Sequence, residues 1–453
     1  MKNHYKDKFD KMANAPVKGL ITTLAIPTVI TMLVSAVYNM ADSYFVGKID
    51  TTSVASIGIV FSIMTLLQAI GFSLGNGSGI MISNLLGNKQ KDKAQIYANV
   101  AFYFAIMLGI VLAVIGIFFS SQISVMLGAT QTTRETTSNY LRIILIGAPF
   151  ILGSFVMNNQ LRYQGSAVYS MAGIMSGSLI NIGLDPLFIF KLNLGVKGAA
   201  LATIVSQLIG FIILFIGTFR GENIRLLPKY FKPDKTVISD ICKNGLPSLS
   251  RQGVQTAANI CLNFAAAPFG DSIVAGMSVF NRVMFLGFAV VIGIGQGYQP
   301  VCSFNNGAKK YDRVYNGYKF TVAVTTCFIT VASVIGFIFA PQLIAAFRDD
   351  AQVIEIGTKA LRHECLVLPL IGYCTSSNML MQSLKMSVKA TILALARQGI
   401  FFIPLMLILP KLMGSTGVAV VQPIADGLSF ILTLILTVPV INKIKKIAKD
   451  LSQ

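Results

Sequence analysis

The sequence has no tryptophan, only two histidines and few charged residues, which make up 12% of its 453 positions. Soluble domains carry about 25% charged residues, so this scarcity argues against a soluble protein. A nucleotide-binding P-loop, a zinc-binding HExxH motif and a nucleophile elbow are also missing from the sequence. Nothing therefore indicates ATP hydrolysis or hydrolase chemistry, and we expect no enzymatic activity.

The sequence is correspondingly rich in apolar residues, with 54% hydrophobic residues and a mean hydropathy of +0.69. Runs of roughly 20 apolar residues, enough to cross a bilayer, recur along the whole chain. Helix is the expected state, because an open sheet cannot satisfy its backbone in lipid. We predict twelve spans, at 20–46, 54–79, 95–119, 137–160, 168–190, 197–219, 240–267, 273–300, 318–340, 357–381, 388–410 and 417–441.

The formal net charge of +19 follows from where the basic residues lie. Lysine and arginine concentrate in alternate loops, such as "GNKQKDK" (87–93) and "GAKKYDR" (307–313), and in the tail "NKIKKIAK" (442–449). The positive-inside rule makes this side cytoplasmic. We expect a multi-pass protein of the bacterial cytoplasmic membrane with both termini in the cytoplasm. The charge should contact membrane lipids rather than nucleic acid.

The chain repeats itself after 220 residues. At this offset prolines, glycines, loop charges and polar residues coincide: Pro27 with Pro247, Gly75 with Gly295, Gly87 with Gly307, Asp92 with Asp312, Pro149 with Pro369, and Asn158 with Asn378. Six spans per copy give both copies the same polarity, a parallel repeat typical of transporters. We predict an all-α integral membrane protein of two six-helix bundles, 1–219 and 240–453, joined by a cytoplasmic linker at 220–239.

Two acids of the first half lie within predicted membrane spans, Asp42 in "YNMADSYFVG" and Asp185 in "NIGLDP". A carboxylate at mid-bilayer costs about 2.5–3.5 kcal/mol on insertion scales, so it usually faces a bundle interior and carries function. Asn181 shares a helix face with Asp185, and Thr203 follows at a matching depth. Their oxygens suit sodium or a proton. The alternative is that each acid is hydrated near a helix end.

The second half has other charges within its spans, Arg251, Arg282, Glu364 and Arg397, whereas Asp42 and Asp185 align with leucines there. A buried arginine is tolerated when it is paired, and we expect Glu364 to be the partner. Two interpretations stay open, a structural ion-pair network and a role coupled to the substrate or a gate.

The duplication, "NIGLDP", "GIGQGYQPVCSFNNGAKKYDRV" (293–314), "LARQGIFFIPL" (395–405) and "VQPIADGLSF" (421–430) together resemble the multidrug and toxin extrusion (MATE) family, most closely its bacterial MepA-like branch. The resemblance covers essentially the whole chain. It implies twelve helices around a central cavity, and export of amphipathic, mostly cationic drugs against inward sodium or proton flow.

The resemblance also implies residue roles. Prokaryotic members with an amino-terminal cation site use residues that match Asp42, Asn181, Asp185 and Thr203, which would also hold Na⁺ if sodium drives transport. Some branches carry an acid on the seventh helix, where this chain has Gln252 and Gln255, so a second cation site is in doubt. No other cofactor is expected.

The favoured hypothesis is a monomeric, cation-coupled exporter of small-molecule drugs that works by alternating access. Pro27, Pro186 and Pro247 are its predicted bending or gating points, because proline removes a helix hydrogen bond. A lipid-linked oligosaccharide flippase of a related class is the alternative, because Arg251, Arg282 and Arg397 would suit an anionic substrate. A non-transporting membrane protein is the third possibility.

Overall fold

Helices account for every regular element in the residues that the computed structural model describes, which are 8–46, 49 and 51–450, without the side chains of 39, 40, 42–44, 46 and 51. This confirms the all-α prediction. In the first half the helices are α1 (Lys8–Asn14), α2 (Val17–Val46), α3 (Thr51–Gly87), α4 (Lys91–Met126), α5 (Arg134–Ile146), α6 (Ala148–Tyr163), α7 (Ala167–Pro186) and α8 (Gly195–Thr218).

The second half follows a similar order of long helices. Its helices are α9 (Lys235–Ala266), α10 (Asp271–Gly307), α11 (Tyr311–Ile338), α12 (Ala340–Ala345), α13 (Ala351–Ser383), α14 (Ser387–Leu395), α15 (Phe402–Met413) and α16 (Ser415–Asp450). A π-helical segment, Leu187–Lys191, ends the fifth span of the first half, and another, Ala396–Phe401, lies within the fifth span of the second. Short 3₁₀ turns lie at Pro228–Tyr230 and Ala267–Phe269.

Within the described ranges, nine helices are long and apolar enough to cross a membrane. A tenth span forms if α5 and α6, which meet at a 48° bend, are taken together. The remaining two predicted spans correspond to α9 and α13, which have 32 and 33 residues but carry charged side chains such as Arg251 and Glu364. The count of twelve therefore depends on including the two most polar long helices.

The internal repeat is visible in the backbone itself. Lys89 and Lys309, 220 positions apart, both adopt a left-handed conformation, with φ of 59° and 58°. Such a φ is uncommon outside glycine, so its recurrence reflects one loop built twice. The amide of Asn158 donates to the carbonyl of Ser170 at 3.1 Å, and that of Asn378, also 220 positions on, donates to the carbonyl of Ala390 at 2.7 Å.

Contacts divide the chain into two compact units, 1–11 with 30–245, and 12–29 with 246–453. The first long helix of each half therefore changes unit along its length, within two residues of Pro27 in α2 and of Pro247 in α9. The predicted halves 1–219 and 240–453 follow the repeat rather than these contacts, and that division stays a prediction.

Glycines let the exchanged helix segments pack closely in each unit. A Cβ at Gly297 of α10 would lie 2.5 Å from the Cα of Ala25 in α2. At the equivalent position of the other unit, a Cβ at Gly77 of α3 would meet the carbonyl of Ile241 and lie 2.9 Å from the backbone nitrogen of Gly245 in α9. Small residues at membrane helix contacts allow this backbone approach.

The connector between the halves is bound to the first unit by hydrogen bonds. Its backbone N–H groups donate to side chains of that unit. The N–H of Ile224 donates to Gln164 Oε1 at 2.6 Å, and the N–H of Leu227 donates to Asn99 Oδ1 at 2.7 Å. Ile224 and Leu226 are buried. This part of the predicted linker is therefore packed against the bundle.

Lys8, at the start of α1, reaches the same region of the first unit. Its Nζ donates to Ser166 Oγ and the carbonyl of Gly221 at 3.0 Å each, and to Asn223 Oδ1 at 2.5 Å. Burial lowers the pKa of the Lys8 amine to about 8, although the nearby carboxylate of Glu222 opposes this shift. The amine thus holds α1 against the first unit, and its burial disfavours the charged form of the lysine.

The lowered pKa of Lys8 predicts that α1 docks more tightly as the pH rises. An undocked lysine has a pKa of about 10.4, so between about pH 8 and 10.4 the docked state binds fewer protons and is favoured by increasing pH. We expect hydrogen-exchange protection of α1 amides, corrected for intrinsic rates, to rise from about pH 7.5 to about 9.5. Lys8→Met should abolish this rise, and Lys11→Met, at an exposed position of the same helix, should keep it. An unchanged pH profile in Lys8→Met would contradict the assignment.

Candidate functional site

Helices α7 and α8 form an antiparallel pair whose backbones touch through small residues. A Cβ at Gly177 would lie 3.2 Å from the carbonyl oxygen of Ser206, and one at Gly210 would lie 3.0 Å from the carbonyl oxygen of Gly173. In lipid such close packing takes the place of a hydrophobic driving force between helices. It also fixes which polar residues of the two helices face each other one turn further along.

That next turn contains three of the predicted cation-site residues, Asn181, Asp185 and Thr203, whose exposed fractions are 1%, 0% and 2%. With its nitrogen turned toward the carboxylate, the Asn181 amide donates to Asp185 Oδ2 at 2.9 Å, and its oxygen accepts from the N–H of Thr203 at 3.2 Å. The Thr203 hydroxyl donates to the carbonyl of Ala199 at 3.0 Å. The structure therefore brings these three residues into one pocket inside the first unit.

The helix changes its form directly after Asp185. Pro186 has no N–H and cannot donate to the carbonyl of Ile182 as a helical residue would. The following segment, 187–191, is π-helical and closes with a bond of 3.0 Å from the N–H of Leu192 to the carbonyl of Leu187. π-Helical turns occur frequently at functional sites. The predicted bending point at Pro186 thus coincides with an observed change of helix type beside the buried carboxylate.

The fourth predicted member, Asp42, lies in α2, but its side chain is outside the described residues. Its participation in the pocket stays a prediction. Pro27 and Pro247 lie inside α2 and α9 as expected, and their gating role is likewise untested.

The second unit contains a buried ion cluster. Arg397 binds Asp426 in a bidentate fashion, with Nε 2.8 Å from Oδ1 and Nη2 3.0 Å from Oδ2. The same Nη2 lies 3.6 Å from Glu364 Oε1. Gln422 also donates to Asp426 Oδ1, at 2.9 Å, and the guanidinium lies 4.0 Å from the ring centroid of Phe288. Glu364 and Asp426 are fully buried, whereas the Arg397 side chain is 23% exposed.

The other polar candidates of the second half lie elsewhere. Gln255 and Arg282 are exposed, and Arg251 is half-buried. Glu364 was expected to pair with one of the arginines, and the structure places Arg397 beside it.

Asp426 was missed by sequence reasoning, although the sequence held the signal. It lies in the apolar tract "VQPIADGLSF", and an acid within an apolar tract is the signal that identified Asp185. The tract contributed to the resemblance, but its carboxylate was not counted among the charges in the spans. Two acids, rather than one, therefore surround the arginine.

The repeat relates the two sites. Arg397 and Asp426 align at the 220-residue offset with Gly177 and Ser206, and these two residues also contact each other in the first unit. Equivalent positions thus meet in both copies. In the first unit, the contact joins two small residues, and the nearest carboxylate on these helices, Asp185, lies two helical turns away. In the second unit, the contact itself is an ion pair.

Replacing Gly177 should separate α7 from α8 and disturb the pocket. We expect Gly177→Val to destabilise the folded protein by about 1–3 kcal/mol, since overpacking forces the backbones apart. Thermal unfolding of the purified protein in detergent measures this loss. Gly183→Val, on the same helix but with nothing within 4 Å of its Cβ position, is the matched control and should leave the midpoint nearly unchanged. Equal midpoints for the two variants would refute the packing role.

Known proteins share this architecture. The chain is similar to the multidrug export protein MepA of Staphylococcus aureus (strain MRSA252), 28% identical over 432 residues and 94% of each chain. It is 29% identical to MepA of Staphylococcus haemolyticus (strain JCSC1435), over 93% of each chain. The outward-facing structure of a multidrug resistance MATE family transporter superposes with a TM-score of 0.91 at 25% identity, covering 98% of this chain and all of that one.

The family model MatE matches residues 27–187 and again residues 247–408. The two matches begin 220 positions apart, as the repeat requires, and together they cover well over half of the sequence. The predicted resemblance is confirmed: the chain belongs to the MatE family.

Proposed function

We propose that the protein exports amphipathic, mostly cationic organic compounds across the bacterial cell membrane in exchange for Na⁺ or H⁺. The relatives named multidrug export protein MepA support the export of several drugs. Amphipathic cations are the proposed substrate class because the family resemblance implies them. The protein acts as a transporter and performs no enzymatic reaction.

The single observation that supports coupling to a cation is the burial of Asp185 beside Asn181 and Thr203 at the break in its helix. An ionised carboxylate without water needs a partner of opposite charge or a proton. A carboxylate, an amide oxygen and a hydroxyl are hard ligands that suit a small cation. Asp42 is the proposed fourth member of the site.

The Asn181 amide links the two helices of this site. With its nitrogen toward Asp185, it donates to the carboxylate, and its oxygen accepts from the N–H of Thr203. The amide thus stabilises the carboxylate without a cation, and a bound cation would replace this internal donor.

Coupling follows if the two facing states of the transporter bind the cation with different affinities, because equal affinities would shift no equilibrium. We propose that cation binding changes the bend of α2 near Pro27, the point at which its contacts pass from one unit to the other. Drug and cation then favour opposite states. Pro186 and Pro247 are the corresponding flexible points of α7 and α9.

We propose that the protein acts as a monomer with both termini in the cytoplasm. The charge distribution supports this orientation, since the basic loops and tail lie on one side of the predicted topology. The basic residues contact anionic lipid headgroups there.

A flippase for lipid-linked oligosaccharides remains the second candidate, because Arg251, Arg282 and Arg397 would attract an anionic substrate. The ion cluster argues against it at one position, since Asp426 and Glu364 already surround Arg397 with negative groups. A deletion that produces cell-wall defects without dye sensitivity would favour the flippase.

The cation site predicts that Asp185→Asn abolishes export. The amide has the same shape but cannot alternate between a bound cation and a free carboxylate. We expect ethidium efflux from preloaded right-side-out vesicles to fall at least about tenfold, the equivalent of about 1.4 kcal/mol of coupling. Sodium and pH gradients imposed separately identify the coupling ion.

The control is Asp92→Asn, which removes an exposed acid from the same unit and should leave efflux intact. Both variants are compared at equal amounts of folded protein in the membrane. Efflux at the wild-type rate in Asp185→Asn would refute the site assignment.

A further inference from the structure

A cavity of about 400 Å³ lies in the first unit, beside the end of α8 and the beginning of α4. Two residues of α4 and five of the segment that follows α8 line it: Lys91, Gln95, Phe219, Glu222, Asn223, Ile224 and Arg225. Its volume is within the range of roughly 300–1,000 Å³ that small-molecule sites occupy. The cavity shares no lining residue with the pocket at Asp185.

The lining of the cavity is mainly cationic. Lys91 and Arg225 are exposed, and among the described residues neither of their charged groups donates a hydrogen bond or forms an ion pair. Lys8 adds a third cation at the edge, because its amine donates to Oδ1 of the lining residue Asn223 at 2.5 Å. Glu222 is the one carboxylate of the lining. Three cations against one acid give the cavity a positive potential that favours an anion.

Hydrogen bonds on both sides of Arg225 hold its backbone in place. The N–H of Ile224 donates to Gln164 Oε1 at 2.6 Å, and the carbonyl of Arg225 accepts from the side-chain amide of Asn99 at 3.3 Å. Asn99 Oδ1 also accepts from the N–H of Leu227 at 2.7 Å. The guanidinium therefore extends from a fixed backbone, which lowers the entropy cost of binding a ligand.

An exposed apolar face of α8 leads to the cavity. Ile212, Ile216 and Phe219 follow each other at spacings of four and three residues, so they share one helix face. Their exposed fractions are 47%, 48% and 41%. Because α8 is long and apolar enough to cross a membrane, this face contacts lipid acyl chains. Phe219 also lines the cavity, so the lipid-facing surface continues to the cationic lining.

We propose that this cavity binds the headgroup of an anionic phospholipid. Arg225 and Lys91 bind the phosphate, to which a guanidinium can donate two parallel hydrogen bonds, and the acyl chains lie along the exposed face of α8. A soluble phosphate ester would satisfy the cations but leave the apolar face without a partner. This is a defined site, distinct from the general attraction of basic loops to the membrane surface, and it does not depend on the transport proposal.

The second copy of the repeat differs at the equivalent position. At the 220-residue offset, Gln95 and Arg225 fall on Tyr315 and Lys445, and the Lys445 amine lies 5.1 Å from the centroid of the Tyr315 ring. A cation–π contact therefore stabilises the cation of the second copy. Gln95 has no ring to offer Arg225, so the first copy is the one in which a ligand can take this role.

Native mass spectrometry of the purified full-length protein in detergent tests the proposal, because it resolves the binding of single lipid molecules. We expect the first phosphatidylglycerol to bind at least about tenfold more tightly than phosphatidylcholine, since its headgroup carries a net negative charge. Lys91→Gln/Arg225→Gln should remove this preference. Lys443→Gln/Lys446→Gln, which removes two exposed cations of the second unit, is the matched control and should keep it.

A variant with the opposite expected sign separates lost binding from lost folding. Glu222→Gln removes the carboxylate of the lining and should strengthen phosphatidylglycerol binding about threefold, which a folding defect cannot imitate. Glycerol 3-phosphate, a headgroup without acyl chains, should bind at least about tenfold more weakly than the lipid.

Three results would overturn the proposal. An unchanged preference in Lys91→Gln/Arg225→Gln would show that the lipid binds elsewhere. An equal loss in both double variants would show general charge attraction without a site. Binding of glycerol 3-phosphate as tightly as the whole lipid would assign the cavity to a soluble phosphate ester.

Discussion

Neutralisation of buried charge is the constraint that organises this protein. A carboxylate removed from water needs donors, a cation or a proton nearby, and both units bury carboxylates completely. In the first unit, Asp185 receives a donor from Asn181, a neutral group. In the second, Asp426 receives a guanidinium that belongs to the chain. The second arrangement supplies its own cation, whereas the first is the one for which we propose a cation from solution.

The repeat shows how one scaffold holds both arrangements. Gly177 and Ser206 contact each other in the first copy, and Arg397 and Asp426 occupy the same two positions in the second. The contact between the two helices is the same in both copies, but the residues at the contact positions differ. Sequence comparison of the halves suggested that the second copy lacked the buried acids of the first. In fact it carries them at different levels of the helices, so charge in a bundle interior is common to both copies and only its neutralisation differs.

Architecture was predictable from the sequence because its signals are strong and local. Long apolar runs, loop charges and aligned prolines indicated membrane helices and a repeat, and the paired loops at Lys89 and Lys309 bear this out. The pairing of Asn181 with Asp185 followed from helical spacing alone. The 48° bend between α5 and α6 was not predictable, since it depends on packing between helices. Asp426 was different: its sequence signal was present and was overlooked.

Helix irregularity accompanies charge in both units. Pro186 and a π-helical segment follow Asp185, and Arg397 itself lies in the π-helical segment Ala396–Phe401. A π turn inserts one residue and rotates the following side chains relative to a regular α-helix, at a cost in hydrogen-bond geometry that a functional or packing gain must offset. In the second unit the gain is visible, because the rotated Arg397 reaches Asp426 with two bonds and Phe288 with its face. Pro186 cannot donate a backbone bond in the first unit, and Pro404 cannot donate one to Ile400 of the second π-helical segment. Both irregular turns are therefore favoured by the sequence itself.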